Sequence, residues 1–177
     1  MTKSYVAKHV IISVLARIAI FLVISFEGAN ILFDQYDSIR NEIYGIGNYV
    51  NVRFVSNMML VLNAVFLIAI VISCFMTRRT LYTKENVESP EFKKYVRFEL
   101  ILESATSLGY VILTTVIASF IDNKFVKTAM LVPKYVLYYI TENYIIATIL
   151  SIVIYAIVIF IMLGIPYLKN KKNIEHV

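Results

Sequence analysis

Two carboxylates and three hydroxyls interrupt an apolar stretch of the sequence and recur every three or four residues. They are Glu99, Glu103, Ser107, Tyr110 and Thr114. On a helix this spacing places all five side chains on one face. Side chains of these types inside a membrane can pair with a buried cation, or they can line a pathway for protons or ions. We therefore treat this face as a candidate intramembrane polar seam.

A cation that could pair with the seam lies in the first apolar stretch. Arg17 is seven residues beyond Val10, or about 10 Å along a helix, and Glu103 has a similar depth from the same side. The guanidinium keeps its proton, so it needs a carboxylate, carbonyl oxygens or water. We expect an Arg17–Glu103 pair with Glu99 nearby. A polar pathway lined by the same residues, and an Arg17 side chain that reaches back to the interface, are the alternatives.

Catalytic and metal-binding patterns are absent from the sequence. It contains no HExxH or CxxC motif, no glycine-rich phosphate loop, and a single cysteine, Cys74. The two histidines, His9 and His176, lie at opposite ends of the chain. Glu99 and Glu103 are four residues apart on one helix, so they cannot flank a substrate. We expect no enzyme activity, no catalytic residues, no metal site and no cofactor.

The elements that position the seam follow from composition. Hydrophobic residues make up 59% of the 177 residues, whereas a soluble domain has about 45–50%. Four apolar stretches are each long enough to span a membrane as a helix. They cover residues 10–26, 55–76, 100–121 and 145–168. The sequence predicts an all-α fold, an integral membrane four-helix bundle that forms a single transmembrane domain over 1–177. Gly164 and Pro166 are expected to end the last helix.

The basic residues predict the orientation. Eleven lysines and arginines lie before the first span, in the 77–98 loop and after the last span, and five lie in the other two connections. Because the more basic side usually faces the cytoplasm, both termini and this loop should be cytoplasmic. We expect the first span to be retained, since Arg17 interrupts the apolar core that a signal peptide needs. The prediction is a multi-pass cell-membrane protein. Its wealth of Ile, Asn, Lys and Tyr points to a bacterial plasma membrane.

The two connections on the predicted outer side are amphipathic. Residues 31–46 carry an apolar stripe at helical spacing. The second connection, near residues 122–144, is rich in tyrosine and is interrupted by Pro133. We expect both to be short amphipathic segments on the outer surface, where they cover the end of the bundle or, alternatively, bind a ligand.

The predicted cytoplasmic loop, residues 77–98, has a net positive charge. Its basic residues are Arg78, Arg79, Lys84, Lys93, Lys94 and Arg97. Such a loop sets orientation and attracts anionic lipid head groups, and it can also dock a cytoplasmic protein. Direct nucleic-acid binding is not expected, because Glu85, Glu88 and Glu91 are interspersed.

These patterns lead to a functional expectation. The chain should be a non-enzymatic sensor or scaffold subunit that couples the membrane or envelope to a cytoplasmic partner, with a bacterial defence or immunity system as one setting. The alternative is an oligomeric ion channel or small transporter lined by the seam. The expected partners are the lipid bilayer, a cytoplasmic protein and further copies of the chain. A homo-oligomer is expected because four helices alone have little interior in which to bury charges.

Overall fold

A computed structural model describes most of the chain as helix. It describes the backbone of residues 3–43, 52–82 and 92–169, and the side chains of residues 11–34, 55–82 and 94–169. The helices are α1 (Lys3–Ile43), α2 (Val52–Leu81), α3 (Phe92–Phe120), α4 (Lys124–Leu131), α5 (Tyr135–Thr141) and α6 (Tyr144–Ile159). A 3₁₀ turn, Val132–Lys134, joins α4 to α5, and a π-helical turn, Phe160–Gly164, follows α6. The described residues form no strand.

Four of the helical segments are long and apolar enough to cross a membrane. They are Ile11–Asp34, Val55–Leu81, Lys94–Phe120 and Tyr144–Lys169. A spanning helix needs about 20 apolar residues, and each segment exceeds this length. The prediction of an all-α four-helix membrane bundle is confirmed, and the chain is a multi-pass membrane protein.

The four spans run alternately up and down, so both ends of the described chain lie at one end of the bundle. There, Arg17 of α1 contacts Glu103 of α3, and the Tyr82 hydroxyl after α2 donates to the Leu163 carbonyl at 3.3 Å. We call this the basic end, because Arg78, Arg79, Lys94 and Arg97 are exposed there. The other end, which carries α4, α5 and the start of α6, is called the connection end.

Helix α1 is longer than the sequence predicts. A span ending near residue 26 and a separate amphipathic segment over 31–46 were expected, but α1 continues unbroken to Ile43. Its 41 residues correspond to about 60 Å. Gly28 does not break the helix. It allows close packing against α2, since a Cβ there would lie 2.8 Å from Leu62 Cδ1. Gly45 and Gly47, the two glycines that were expected to end the 31–46 segment, lie outside the described residues.

The second connection is built from short helices, but it does not stay on the surface. Asn123 caps α4 through its side chain, which accepts from the Val126 N–H at 3.2 Å. Pro133 interrupts the helical run as expected. The turn Val132–Lys134 is fully buried, and Val132 packs against Leu32 of α1 and Met59 of α2. The connection therefore enters the bundle between the spans.

The last helix does not end at Gly164 and Pro166, as the sequence suggests, but continues through residue 169. The π-helical turn Phe160–Gly164 explains the continuity. Proline removes one backbone donor and its ring crowds the preceding turn, and a wider turn accommodates both effects. The carbonyl of Leu163 in this turn accepts from the Tyr82 hydroxyl.

Candidate functional site

A buried ion pair joins three helices near the basic end. Arg17 Nη2 lies 2.6 Å from Glu103 Oε2, and the two residues are 6% and 0% exposed. Arg17 Nε also donates to Ser73 Oγ of α2 at 2.8 Å, and Nη2 donates to Thr77 Oγ1. The structure thus contains the Arg17–Glu103 contact that the sequence predicts, with α2 as a third member.

Hydroxyl groups surround the Glu103 carboxylate. Ser73 donates to Oε1 at 3.0 Å, Thr77 donates to Oε2 at 3.1 Å, and Ser107 donates to Oε1 at 3.3 Å. A buried charge is tolerated when it is paired and its remaining lone pairs accept hydrogen bonds. We call Arg17, Ser73, Thr77, Glu103 and Ser107 the basic-end network. Arg17 Nη1 is the atom of this network that has no hydrogen-bond partner.

The rest of the seam also faces the interior. Glu99 is buried one helical turn from Glu103, towards the basic end. The Tyr110 hydroxyl donates to the Phe21 carbonyl at 3.1 Å and lies at hydrogen-bond distance, 2.8 Å, from Ser25 Oγ. Thr114 is buried near the connection end. All five seam residues therefore lie inside the bundle rather than against lipid.

An aromatic layer divides the seam near its middle. The Phe66 ring lies 4.9 Å from Phe21, 5.6 Å from Tyr110 and 6.0 Å from Tyr155, measured between ring centroids. These side chains belong to the central hydrophobic cluster. The layer separates the basic-end network from the polar groups nearer the connection end.

A second cluster lies beneath the connection, around Lys134. This side chain is 0% exposed. Its ammonium donates to Thr115 Oγ1 at 2.7 Å, Thr114 Oγ1 at 3.2 Å and the Val111 carbonyl at 3.4 Å. It also lies over the Tyr144 ring, 4.4 Å from the centroid, a favourable position for a cation. We call Lys134, Val111, Thr114, Thr115 and Tyr144 the lysine cluster.

The lysine cluster differs from the basic-end network in having no countercharge. Within the described parts of the chain, no carboxylate lies within 4.0 Å of the ammonium. Lys134 belongs to the second connection and not to any of the four spanning segments. Burial lowers the pKa of its amine to about 7. Desolvation is the cause, since burial penalises the charged form.

The tip of the connection is held by α2 and α6. The Tyr155 hydroxyl donates to the Pro133 carbonyl and accepts from Asn63 Nδ2 at 3.4 Å. Asn63 Oδ1 accepts from the Val136 N–H at 3.1 Å. Tyr155 lies 11 residues beyond Tyr144, so the tip reaches about 16 Å below the start of α6.

Sequence reasoning missed the groups that complete both clusters. Ser73 and Thr77 are four residues apart in an apolar helix, a spacing that matches the seam, but serine and threonine are common in membrane spans. Lys134 is one of the five basic residues in the two connections that the sequence predicts to lie on the outer surface. Its position directly after Pro133 in the run "MLVPKYVLYY" is a signal that a lone cation sits within an apolar segment.

The predicted docking residues are placed only in part. Arg78 and Arg79 are exposed in the last turn of α2, and Lys94 and Arg97 are exposed in the first turns of α3. Lys84 and Lys93 lie outside the residues whose side chains are described. The placed residues form a basic surface on both sides of the loop.

The fold and its two clusters define a multi-pass four-helix membrane protein with an inserted connection. In the part of the chain that the structure describes, no three His, Cys, Asp or Glu side chains come close enough to hold a metal ion. No protein-family model, curated protein or solved structure matches the chain. The function therefore has to be inferred from the geometry of the two buried clusters.

Proposed function

We propose that this protein is a non-enzymatic sensor or scaffold subunit of a bacterial plasma membrane that couples its connection end to a cytoplasmic partner at its basic end. One observation carries the proposal. Helix α3 contributes Thr114 to the lysine cluster and Glu103 to the basic-end network, and both lie on the same buried face. They are 11 residues apart, or about 16 Å. A movement of the inserted connection would act on the helix that anchors the ion pair.

The packing between the clusters favours coupling over conduction. Phe66 and its aromatic neighbours fill the space between the two clusters. Glu103 is 0% exposed, and a cavity of about 520 Å³ reaches Arg17, Ser73 and Thr77 on the basic-end side of this layer. Closely packed interiors transmit displacement because they contain few voids. An open pathway would need the Phe66 layer to move aside.

The basic end offers the surface for the cytoplasmic partner. Arg78 and Arg79 end α2, and Lys94 and Arg97 start α3. Their exposed charges suit a partner with an acidic surface, since complementary charge speeds association. A bacterial defence or immunity system would be one setting for such a subunit.

The coupling can be tested by a reporter at the basic end. We would attach a fluorophore to Arg97→Cys in a Cys74→Ala background and perturb the connection with Tyr155→Phe, which removes the bond to Pro133. We expect a changed emission spectrum in reconstituted protein. Tyr139→Phe is the matched control, because Tyr139 is exposed in the same connection. If neither substitution alters the emission, the two ends are not coupled and the proposal fails.

The docking surface is tested separately by charge reversal. Arg78→Glu with Arg79→Glu should reduce the capture of acidic cytoplasmic proteins at least tenfold. Lys124→Glu with Lys127→Glu places the same charge change at the connection end, where both lysines are exposed. Equal loss in both double variants would mean that net charge, rather than the basic surface, governs capture.

The channel or transporter is the second candidate, because all five seam residues face the interior. Proton or ion flux through liposomes containing the protein would favour it, and Glu103→Gln should then change that flux. Absence of flux from the unaltered protein would remove this candidate. The homo-oligomer stays a prediction, although one chain already buries Arg17, Glu99 and Glu103. The mass of the protein in a lipid nanodisc would test it.

A further inference from the structure

Among the residues whose side chains are described, those that bind the buried Lys134 cation are all neutral. Its three hydrogen-bond acceptors are the Thr114 and Thr115 hydroxyls and the Val111 carbonyl. A buried cation without a counterion is costly, and such a group tends to release its proton instead. The neutral amine fits the same site once one hydroxyl changes its acceptor. It can donate to two of these oxygens, and its lone pair can accept from Thr114 if that hydroxyl turns away from the Val111 carbonyl, to which it donates at 2.8 Å.

Two cavities adjoin the segment that carries Lys134. One of about 340 Å³ is lined in part by Leu131 and Tyr138. The other, of about 240 Å³, is lined in part by Pro133, Val136 and Leu137. Close packing normally locks a segment in place, so the two cavities reduce the packing contacts that withdrawal of this segment would break.

We propose that Lys134 is a proton-binding site that controls whether the second connection is inserted in the bundle. With a neutral amine, the Val132–Lys134 turn stays between the spans. When the amine takes a proton from bulk water, the resulting ammonium favours hydration, and the connection withdraws towards the connection end. This inference deepens the proposed function by naming the proton as the stimulus.

The direction of the pH dependence follows from linkage. Burial lowers the pKa of Lys134 from its ordinary 10.5 to about 7. Between these values the withdrawn connection binds more protons than the inserted one, so falling pH favours withdrawal. For one proton, the ratio of withdrawn to inserted protein rises about tenfold for each pH unit lost between about pH 10 and pH 7. Below about pH 7 both forms are protonated and the ratio levels off.

Other titratable groups near the amine do not account for this dependence. Among the described residues packed against the turn, α6 presents two phenols. The Tyr144 ring faces the ammonium, and the Tyr155 hydroxyl donates to the Pro133 carbonyl. A phenol ordinarily titrates at about pH 10, above the range of about pH 7 to 9 that the test uses. The polar groups from α2 and α3, which include Asn63 and Thr114, do not titrate. Lys127 of α4 pairs with Asp122, just before that helix, at 3.4 Å, and both are exposed to solvent.

The test is the labelling of a buried position as a function of pH. In a Cys74→Ala background, Val132→Cys reports withdrawal, because Val132 is fully buried. Lys124→Cys, at an exposed position of the same connection, corrects for the pH dependence of thiol chemistry. With a membrane-impermeant maleimide, the rate at Val132→Cys divided by the rate at Lys124→Cys should fall about tenfold per unit from pH 7 to pH 9.

Lys134→Met is the decisive variant, since methionine has a similar length and no titratable group. It should abolish the slope. A flat ratio in the protein that retains Lys134, or an equal slope in Lys134→Met, would overturn the inference. Nitrogen NMR of the lysine side chains, on protein without introduced cysteines, gives an independent measurement. A Lys134 midpoint at its ordinary value would also overturn it. Neither measurement involves the basic end, so the proton site can stand if the coupling fails.

Discussion

The two buried clusters solve the problem of a charge inside a membrane bundle in different ways. At the basic end, Arg17 is neutralised by Glu103 and three hydroxyls complete the shell. In the lysine cluster, the partners of Lys134 within the described parts of the chain are neutral acceptors and an aromatic face. A paired charge can remain ionised when buried, whereas an unpaired one is stabilised by losing its charge. The first arrangement fixes the packing of three helices, and the second leaves a group that can change state.

The largest effect that distinguishes the two clusters is expected from removing one charge of the ion pair. Glu103→Leu should destabilise the bundle by about 3–5 kcal/mol, because Arg17 would be left buried without a counterion. Reversible unfolding in mixed micelles that contain a denaturing detergent would measure this loss of unfolding free energy. Adding Arg17→Met to Glu103→Leu should restore most of it. If the two substitutions are simply additive in their cost, the buried pair is not the interaction that matters.

Removing the charge of the lysine cluster should have the opposite sign. Lys134→Met should be neutral or should stabilise the bundle by about 1–4 kcal/mol near pH 7, since it removes an uncompensated buried cation. Thr114 and Thr115 keep bonds to the Val111 carbonyl. The same unfolding assay applies. A loss as large as that from Glu103→Leu would show that Lys134 has a countercharge after all.

A smaller effect is expected outside both clusters. Tyr82→Phe removes the bond to the Leu163 carbonyl in the π-helical turn, which should cost about 0.5–1.5 kcal/mol. Tyr139→Phe, an exposed position, serves as the control and should leave the unfolding midpoint unchanged. If Tyr82→Phe matches this control, the turn is held by the proline-adapted backbone alone.

The sequence predicted one cluster better than the other for a physical reason. An arginine and a glutamate at equal depth in neighbouring spans have few other partners, so their pairing follows from charge and helical rise. The hydroxyls of Ser73 and Thr77 could not be assigned, because many hydroxyls in membrane spans bond to their own helix. Lys134 was misplaced because a lysine beside a proline in a connection is usually at the surface.

In the fold, too, some features could be predicted from the sequence and others could not. Apolar length was sufficient to predict four spans, and the Pro133 interruption was visible in the sequence. The close approach of α1 to α2 involves Gly28 and Leu62, and the inserted connection is held by Asn63 and Tyr155. Such contacts join residues that are distant in sequence, and hydrophobic periodicity carries no information about them.

Cross-linking between the connection and α2 tests the central claim, insertion of the second connection, most directly. In a Cys74→Ala background, Val132→Cys and Met59→Cys should form a disulfide under mild oxidation in native membranes, since the two side chains pack together. Asn123→Cys with Met59→Cys should not. Efficient cross-linking of the first pair alone is the result that we predict. Equal yields from both pairs, or no cross-link to Val132→Cys, would place the connection on the surface and contradict its insertion between the spans.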